Sequence, residues 1–304
     1  MLKTIAIVTL VVRSLAAVEP AYRDELGYEA VGRGALPAEL AAAWDAPAMD
    51  GRPYVLLRPA SGADVHLRFI EAPPGGPAVQ PFMTHGWTAL ELLVTDADAT
   101  ALRLEGTAFR VIGPPKDLMA GDKSPRALQA LGPADEVLYL TRIIPGGTGY
   151  DLGFATTPVD RVFIMVVGGP SIDALRDFYG GLLGMPLGRT ESWRIGVLAR
   201  AHGLPDETRF PLVVAQMPKD FLVELDGYPP SARPRPRAAG ALPPGIAMVS
   251  FTADRLDDLA VTWRAAPRAM RSFPYNGRRA AVTVGPAGEW VEVIETGGTT
   301  AVGR

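Results

Sequence analysis

The sequence predicts an α+β fold built from four copies of one strand–helix–strands unit. Three observations predict it. First, segments of one half return in the other. "PAYRDELGYEAVGR" (20–33) resembles "RDFYGGLLGMPLGR" (176–189), and "VHLRFIEAPP" (65–74) resembles "FLVELDGYPP" (221–230). "TALELLVTDADATALRL" (88–104) resembles "IAMVSFTADRLDDLAVT" (246–262), and "GPADEVLYLTRI" (132–143) resembles "GPAGEWVEVIET" (285–296), all at offsets of 153 to 158 residues. Second, the glycine-rich "PGGTGYDLG" (145–153) falls between the halves and suits a linker. Third, apolar runs of strand length alternate with helix-like stretches that carry capping residues.

The first unit opens with a strand, Ile5–Val12, followed by a helix over Leu15–Leu26 that Gly27 closes. The N-terminal stretch has a Lys, a short apolar run and small residues, much as a secretory signal does. Arg13 follows at once and the run is far too short to span a bilayer. The repeat requires a strand here, so it is read as a buried strand. Strands "RPYVLLRPA" and "DVHLRFIEA" complete the unit. The second unit runs from a strand at Ala89–Val94 through a helix opened by Asp96 or Asp98 to "EVLYLTRI". The third has a strand at Val162–Val167, a helix capped by Ser171 and a terminating Gly184. The fourth has "IAMVSFTA", a helix from Asp254, then "AAVTVGP" and "EWVEVIE". Between the third and fourth lies "SARPRPRAAGALPP" (231–244), read as a solvated connector, with anion binding by Arg233, Arg235 and Arg237 as the alternative.

Composition narrows the function. The chain has 304 residues, enough for two domains, and is 48% hydrophobic and 21% charged, as globular proteins are. A net charge of −3 gives no electrostatic footprint for nucleic acid. No other segment looks membrane-spanning. Cysteine is absent, which excludes disulfides, thiolate catalysis and cysteine-held metals and fits a cytoplasmic protein. Walker-type loops, G-x-S-x-G and H-E-x-x-H are missing too.

Four such units, with the helix endings "AYRDELGY" and "DFYGGLLGM" and the strand endings "GPADEVLYL" and "GPAGEWVEV", resemble the vicinal oxygen chelate superfamily. That group includes glyoxalase I, bleomycin- and fosfomycin-resistance proteins and extradiol dioxygenases. The resemblance covers almost the whole chain and implies βαβββ modules paired into two cup-shaped mixed sheets. It implies an N-terminal pair over 1–147 (modules 1–76 and 82–147) and a C-terminal pair over 156–304 (modules 156–230 and 243–304). It further implies that ligands project from the first and last strands of paired modules, usually His or Gln on first strands and Glu on last strands. Those positions are expected at Ile7, Arg68, Ala89 and Tyr139 in one cup, and at Val162, Glu224, Ala247 and Glu292 in the other.

This set suggests chemistry. A non-haem metal triad needs two His and a carboxylate, and none of His66, His85 and His202 falls on an expected first-strand position. No cofactor is therefore expected, with a hard divalent ion between Glu224 and Glu292 as the alternative. Glu224 and Glu292 are expected to face one apolar cup beside Trp290. There, two carboxyls cannot both ionise cheaply, so one acts as acid and one as base. Such a pair suits proton transfer next to a carbonyl, as in a lyase or isomerase; the rival placement points either Glu into solvent. In the other cup Arg68, Tyr139 and His66 are candidates for binding an organic acid, unless Arg68 pairs with Glu71. The alternatives to an enzyme of this kind are a ligand-sequestering protein and a metal-dependent relative. The expected partner is a small molecule, and a homodimer is compatible with paired sheets.

Overall fold

A computed structural model describes residues 1–297; residues 298–304 of the expected last module lie outside the described residues. Module one comprises β1 (Leu2–Val12), α1 (Leu15–Leu26), β2 (Tyr28–Ala35), α2 (Ala38–Ala43), β3 (Pro53–Pro59) and β4 (His66–Glu71). Module two comprises β5 (Gly86–Val94), α3 (Ala97–Leu104), β6 (Arg110–Asp117), β7 (Arg126–Leu131) and β8 (Val137–Arg142). Module three comprises β9 (Val159–Gly169), α4 (Ile172–Arg176, continued by a wide turn over Asp177–Leu182), β10 (Glu191–Arg194), α5 (Gly196–Ala201), β11 (Arg209–Gln216) and β12 (Leu222–Gly227). Module four comprises β13 (Gly245–Ala253), β14 (Arg268–Ala269), β15 (Arg279–Val284) and β16 (Trp290–Glu295).

The caps explain where the helices start and stop. Asp96 accepts from the backbone N–H groups of Asp98 and Ala99, and Ser171 from that of Ala174, so both open their helices as expected. Gly27 ends α1 at φ 71° and Gly184 repeats the conformation at φ 70°, which glycine adopts without steric cost. The helix expected from Asp254 is a correction: only one 3₁₀ turn forms, Leu256–Asp258. The following residues bond to β15 instead, Arg264 N–H to the Val282 carbonyl at 2.7 Å and the Thr283 hydroxyl to the Thr262 carbonyl at 2.9 Å. The β-branched Val261 and Thr262 suit that extended course better than a helix.

The strands form two eight-stranded mixed sheets, ordered β14-β15-β16-β13-β1-β4-β3-β2 and β10-β11-β12-β9-β5-β8-β7-β6. Module one therefore pairs with module four, and module two with module three. This corrects the expected pairing of sequence neighbours. The joints are antiparallel, β1 with β13 and β5 with β9. All four first strands are so apolar that the pattern of any one of them says nothing about its partner.

A shared core fills the space between the sheets, with Tyr22, Phe69, Trp87, Tyr179 and Phe251 among its large members. Two matched locks fasten it. Glu136 accepts from the Tyr22 hydroxyl (2.8 Å) and from Ala134 N–H (2.8 Å); Glu289 accepts from the Tyr179 hydroxyl (3.3 Å) and from Ala287 N–H (2.8 Å). Each lock joins a helix packed on one sheet to a hairpin of the other. Burial pushes both carboxyls up to about 7. The repeated "GPA-x-E" is this lock: a side chain on Gly132 or Gly285 would collide with the carboxylate it wraps.

Much of the segment 231–244 is the exposed connector that its Pro–Arg alternation suggests, with Arg233, Pro234, Pro236 and Arg237 exposed, but Arg235 departs from it. Arg235 is inserted between the sheets and donates to the carbonyls of Trp87 (2.6 Å) and Ile246 (2.8 Å). Arg237 lies over the Trp290 ring, with 5.3 Å between guanidinium carbon and centroid. The carbonyls of two strand starts, β5 and β13, make a polar socket for Arg235, which offsets its burial.

Candidate functional site

Register fixes which side chains share each cup. In every module one first-strand residue stands opposite one last-strand residue: Thr9 with Arg68, Glu91 with Tyr139, Val166 with Glu224, and Ser250 with Glu292. All four expected last-strand positions stand at this level. The first-strand positions Ile7, Ala89, Val162 and Ala247 miss it by two to four residues. Register shifts interrupt β1 against β13 and β5 against β9, and each moves the facing by a step. Counting back from the helix caps finds the correct level: Thr9, Glu91 and Val166 each lie five residues before their cap residue.

The recombined pairing separates Glu224 from Glu292. Glu292 belongs to the sheet of modules one and four, and Glu224 to the sheet of modules two and three. The pair expected in one cup is therefore corrected, and a single ion between these two residues is ruled out by their placement. Arg68 and Tyr139 are parted in the same way.

The cup of modules one and four is closed. Trp44, following α2, and Tyr275 fill it and are fully buried. Glu292 accepts from Trp44 Nε1 (2.8 Å), from the Ser250 hydroxyl and from the Tyr275 hydroxyl (2.8 Å). Arg68 Nη2 donates to the Tyr275 hydroxyl (3.0 Å) and its guanidinium stacks near Trp44 (5.1 Å). Glu71 does not pair with Arg68; it accepts from the Leu15 N–H. His66 is buried beside Phe273, and burial lowers its proton affinity. Trp290 is buried in this cup's wall, under Arg237 and Arg264. Among the sequence-derived candidates, Arg68, His66, Trp290 and Glu292 thus belong to a packed polar core.

The cup of modules two and three is open. It holds a cavity of about 680 Å³. Its floor carries Glu91, Tyr139, Thr141 and Glu224, and its walls are apolar, with Ile164, Val197, Leu212, Val214 and Leu222. Asp226 lies two residues beyond Glu224 on the same face of β12, and is buried. Burial, then the nearby Asp226 and Glu91, push the Glu224 carboxyl well above the usual range. Asp226 is raised too, chiefly by burial. The two carboxyls are neighbours on one face of β12 and both are raised, so each disfavours ionisation of the other. Glu91, which accepts from the Thr141 hydroxyl, is pushed up to about 7 by burial. The Tyr139 hydroxyl is held far above its normal range by burial and by Glu224, and it stays a neutral donor. Glu91 and Asp226 were missed by the sequence reading. The cap spacing points to the first, and period-two alternation from Glu224 to the second.

None of the three histidines lines this cavity. His202 contacts the Phe82 carbonyl (3.0 Å) and the Ser231 hydroxyl (2.7 Å). His85 sits at the start of β5, its proton affinity lowered by burial and by Arg233 and Arg235. Among the described residues, no helix is long and apolar enough to cross a membrane.

Comparison with solved structures defines the fold class. Glyoxalase I from Zea mays aligns over 96% of this chain and 92% of its own, with a TM-score of 0.61 and 12% identity. A single-residue variant of that maize enzyme gives the same coverage and TM-score at 13% identity. A Bacillus subtilis protein provisionally described as a dioxygenase aligns over 97% of this chain and 85% of its own, with a TM-score of 0.59 and 12% identity. The chain has the vicinal oxygen chelate fold, in the form that carries four modules on one polypeptide. No protein-family model matches the sequence, and no curated protein does.

Proposed function

We propose that the cup of modules two and three binds a small, mostly apolar, oxygenated molecule and moves a proton on it, as a lyase or isomerase does. The observation that carries this is the floor of the cavity: two carboxyls, Glu224 and Glu91, face one apolar-walled space. Glu224, raised by burial and by Asp226 beside it, is the acid. Glu91, near 7, is the base at neutral pH. Tyr139 supplies a neutral hydroxyl to an oxygen on which negative charge develops. An acid, a base and an oxyanion donor in an apolar-walled site meet the needs of proton abstraction beside a carbonyl.

The donor set at the metal-binding level of this fold weighs against an imidazole-held transition ion. In the open cup that level carries Glu91, Tyr139, Val166 and Glu224. One of the four is apolar, one is a phenol held neutral, and Glu91 is engaged by the Thr141 hydroxyl. Among the described residues, no group of three His, Asp or Glu side chains is set to hold an ion.

The test is a screen of small carbonyl compounds for binding and for exchange of the α-proton in deuterated water. Glu91→Gln and Glu224→Gln are each expected to cut exchange by about 100-fold or more while retaining ligand affinity within a few-fold. Binding without exchange in the parent, undiminished by either variant, supports sequestration and refutes catalysis. Stoichiometric iron, zinc or manganese in the purified protein supports the metal-dependent reading instead.

A further inference from the structure

We infer that the mouth of the open cup is a clamp for an anionic group, so the ligand is an organic anion with an apolar body. This rests on the open cup being the binding site. The two edge strands of that sheet, β6 and β10, come round to face each other at the mouth. Lys116 from β6 and Arg194 from β10 line one crevice there and also line the cavity itself, and Arg189 joins them on the cavity side. Among the described residues these three cations have no ion-pair partner. The acids of the mouth are engaged: Asp117 with Arg126 (3.3 Å), and Glu191 with the Trp193 indole N–H (2.9 Å).

The charge pattern fixes the orientation of the ligand. The floor presents Glu91 and Glu224, with Asp226 buried behind Glu224, and a further anion is repelled there. An anionic tail is therefore excluded from the floor and attracted to the mouth. The apolar body fills the space between, and the reactive oxygenated end meets Glu224 and Tyr139. A tail gripped by both edges ties β6 to β10 and closes the cup over the ligand. Leu118 and Trp193, both exposed without it, flank the same crevice and cover the apolar body.

Two fluorescent probes of one skeleton test this: anilinonaphthalene sulfonate and its uncharged parent phenylnaphthylamine. At low ionic strength the sulfonate is expected to bind about tenfold more tightly than the neutral probe, and the advantage is expected to vanish in half-molar salt. A Lys116→Gln, Arg194→Gln double variant, changed only at exposed positions, is expected to lose the same advantage while holding the neutral probe within about twofold. A cavity-filling Val214→Trp variant is expected to weaken both probes. Equal affinity of the two probes for the parent, or an undiminished preference in the double variant, overturns the clamp alone. Failure of both probes to bind the parent overturns the cup as the binding site.

Discussion

Glu292 stands at the expected last-strand position in the closed cup, and replacing it separates a structural role from a functional one. Glu292→Ala removes the acceptor for three buried donors: Trp44 Nε1, the Ser250 hydroxyl and the Tyr275 hydroxyl. It also removes the negative charge that reaches Arg68 through Tyr275, and Arg68 is only 2% exposed. Hydrogen bonds to a charged group contribute about 1.5–3 kcal/mol each, though not additively. Removing one partner of a buried charged network costs about 3–5 kcal/mol. The expected loss is therefore about 3–5 kcal/mol, a large share of a domain's stability. Urea denaturation followed by tryptophan fluorescence measures it. Probe binding in the open cup, on the other sheet, is expected to be unchanged under conditions where the variant is folded. A loss below about 1 kcal/mol, or an intact fold with abolished ligand binding, would refute the assignment of this cup to structure.

Other outcomes follow from the matched locks and from the cavity. Glu136 and Glu289 hold protons up to about 7 in the fold and ionise near the ordinary 4.5 when unfolded. Their contribution is fully present below about 4.5 and lost as pH rises through about 7, at up to roughly 3 kcal/mol each. Denaturation midpoints should therefore fall from pH 5 to pH 8, and a Glu136→Gln, Glu289→Gln double variant should reduce that slope, leaving the part that the raised Glu91, Glu224 and Asp226 contribute; a parent midpoint that climbs over this range contradicts the reading. Gly132→Ala and Gly285→Ala should each destabilise by at least about 2 kcal/mol, since the new methyl meets the wrapped carboxylate; thermal melts of the two variants should agree closely, because the locks are copies. Leu212→Trp should fill the open cup and abolish probe binding with little change in melting temperature, which calorimetry and titration can measure side by side.

Much of the fold was legible because local signals carried it. Asp96, Ser171, Gly27 and Gly184 mark helix ends through their own backbone preferences, and duplication repeats those marks along the chain. The partnership of modules was not legible. It depends on how Ile7 meets Ser250 and how Glu91 meets Ile164 across long sequence distances, and no strand's own pattern encodes its neighbour. The site divides the same way. Arg68, Tyr139, Glu224 and Glu292 stand at the right level because their strands pair without interruption within each module. The first strands carry register shifts that spacing from a distant motif cannot see, so Glu91 was passed over in favour of Ala89. Asp226 was hidden because its importance comes from lying beside Glu224, where burial raises both carboxyls.

Pairing first with fourth and second with third arranges the modules like nested brackets. On a ribosome, the inner bracket is complete once the third module has emerged, while the outer one waits for the fourth. Until then the oily margin of β1, which β13 later covers, must be shielded by something else. Severing the polypeptide near residue 150 would give fragments that each hold half of both brackets, so neither piece is a unit that evolution or an engineer could lift out alone.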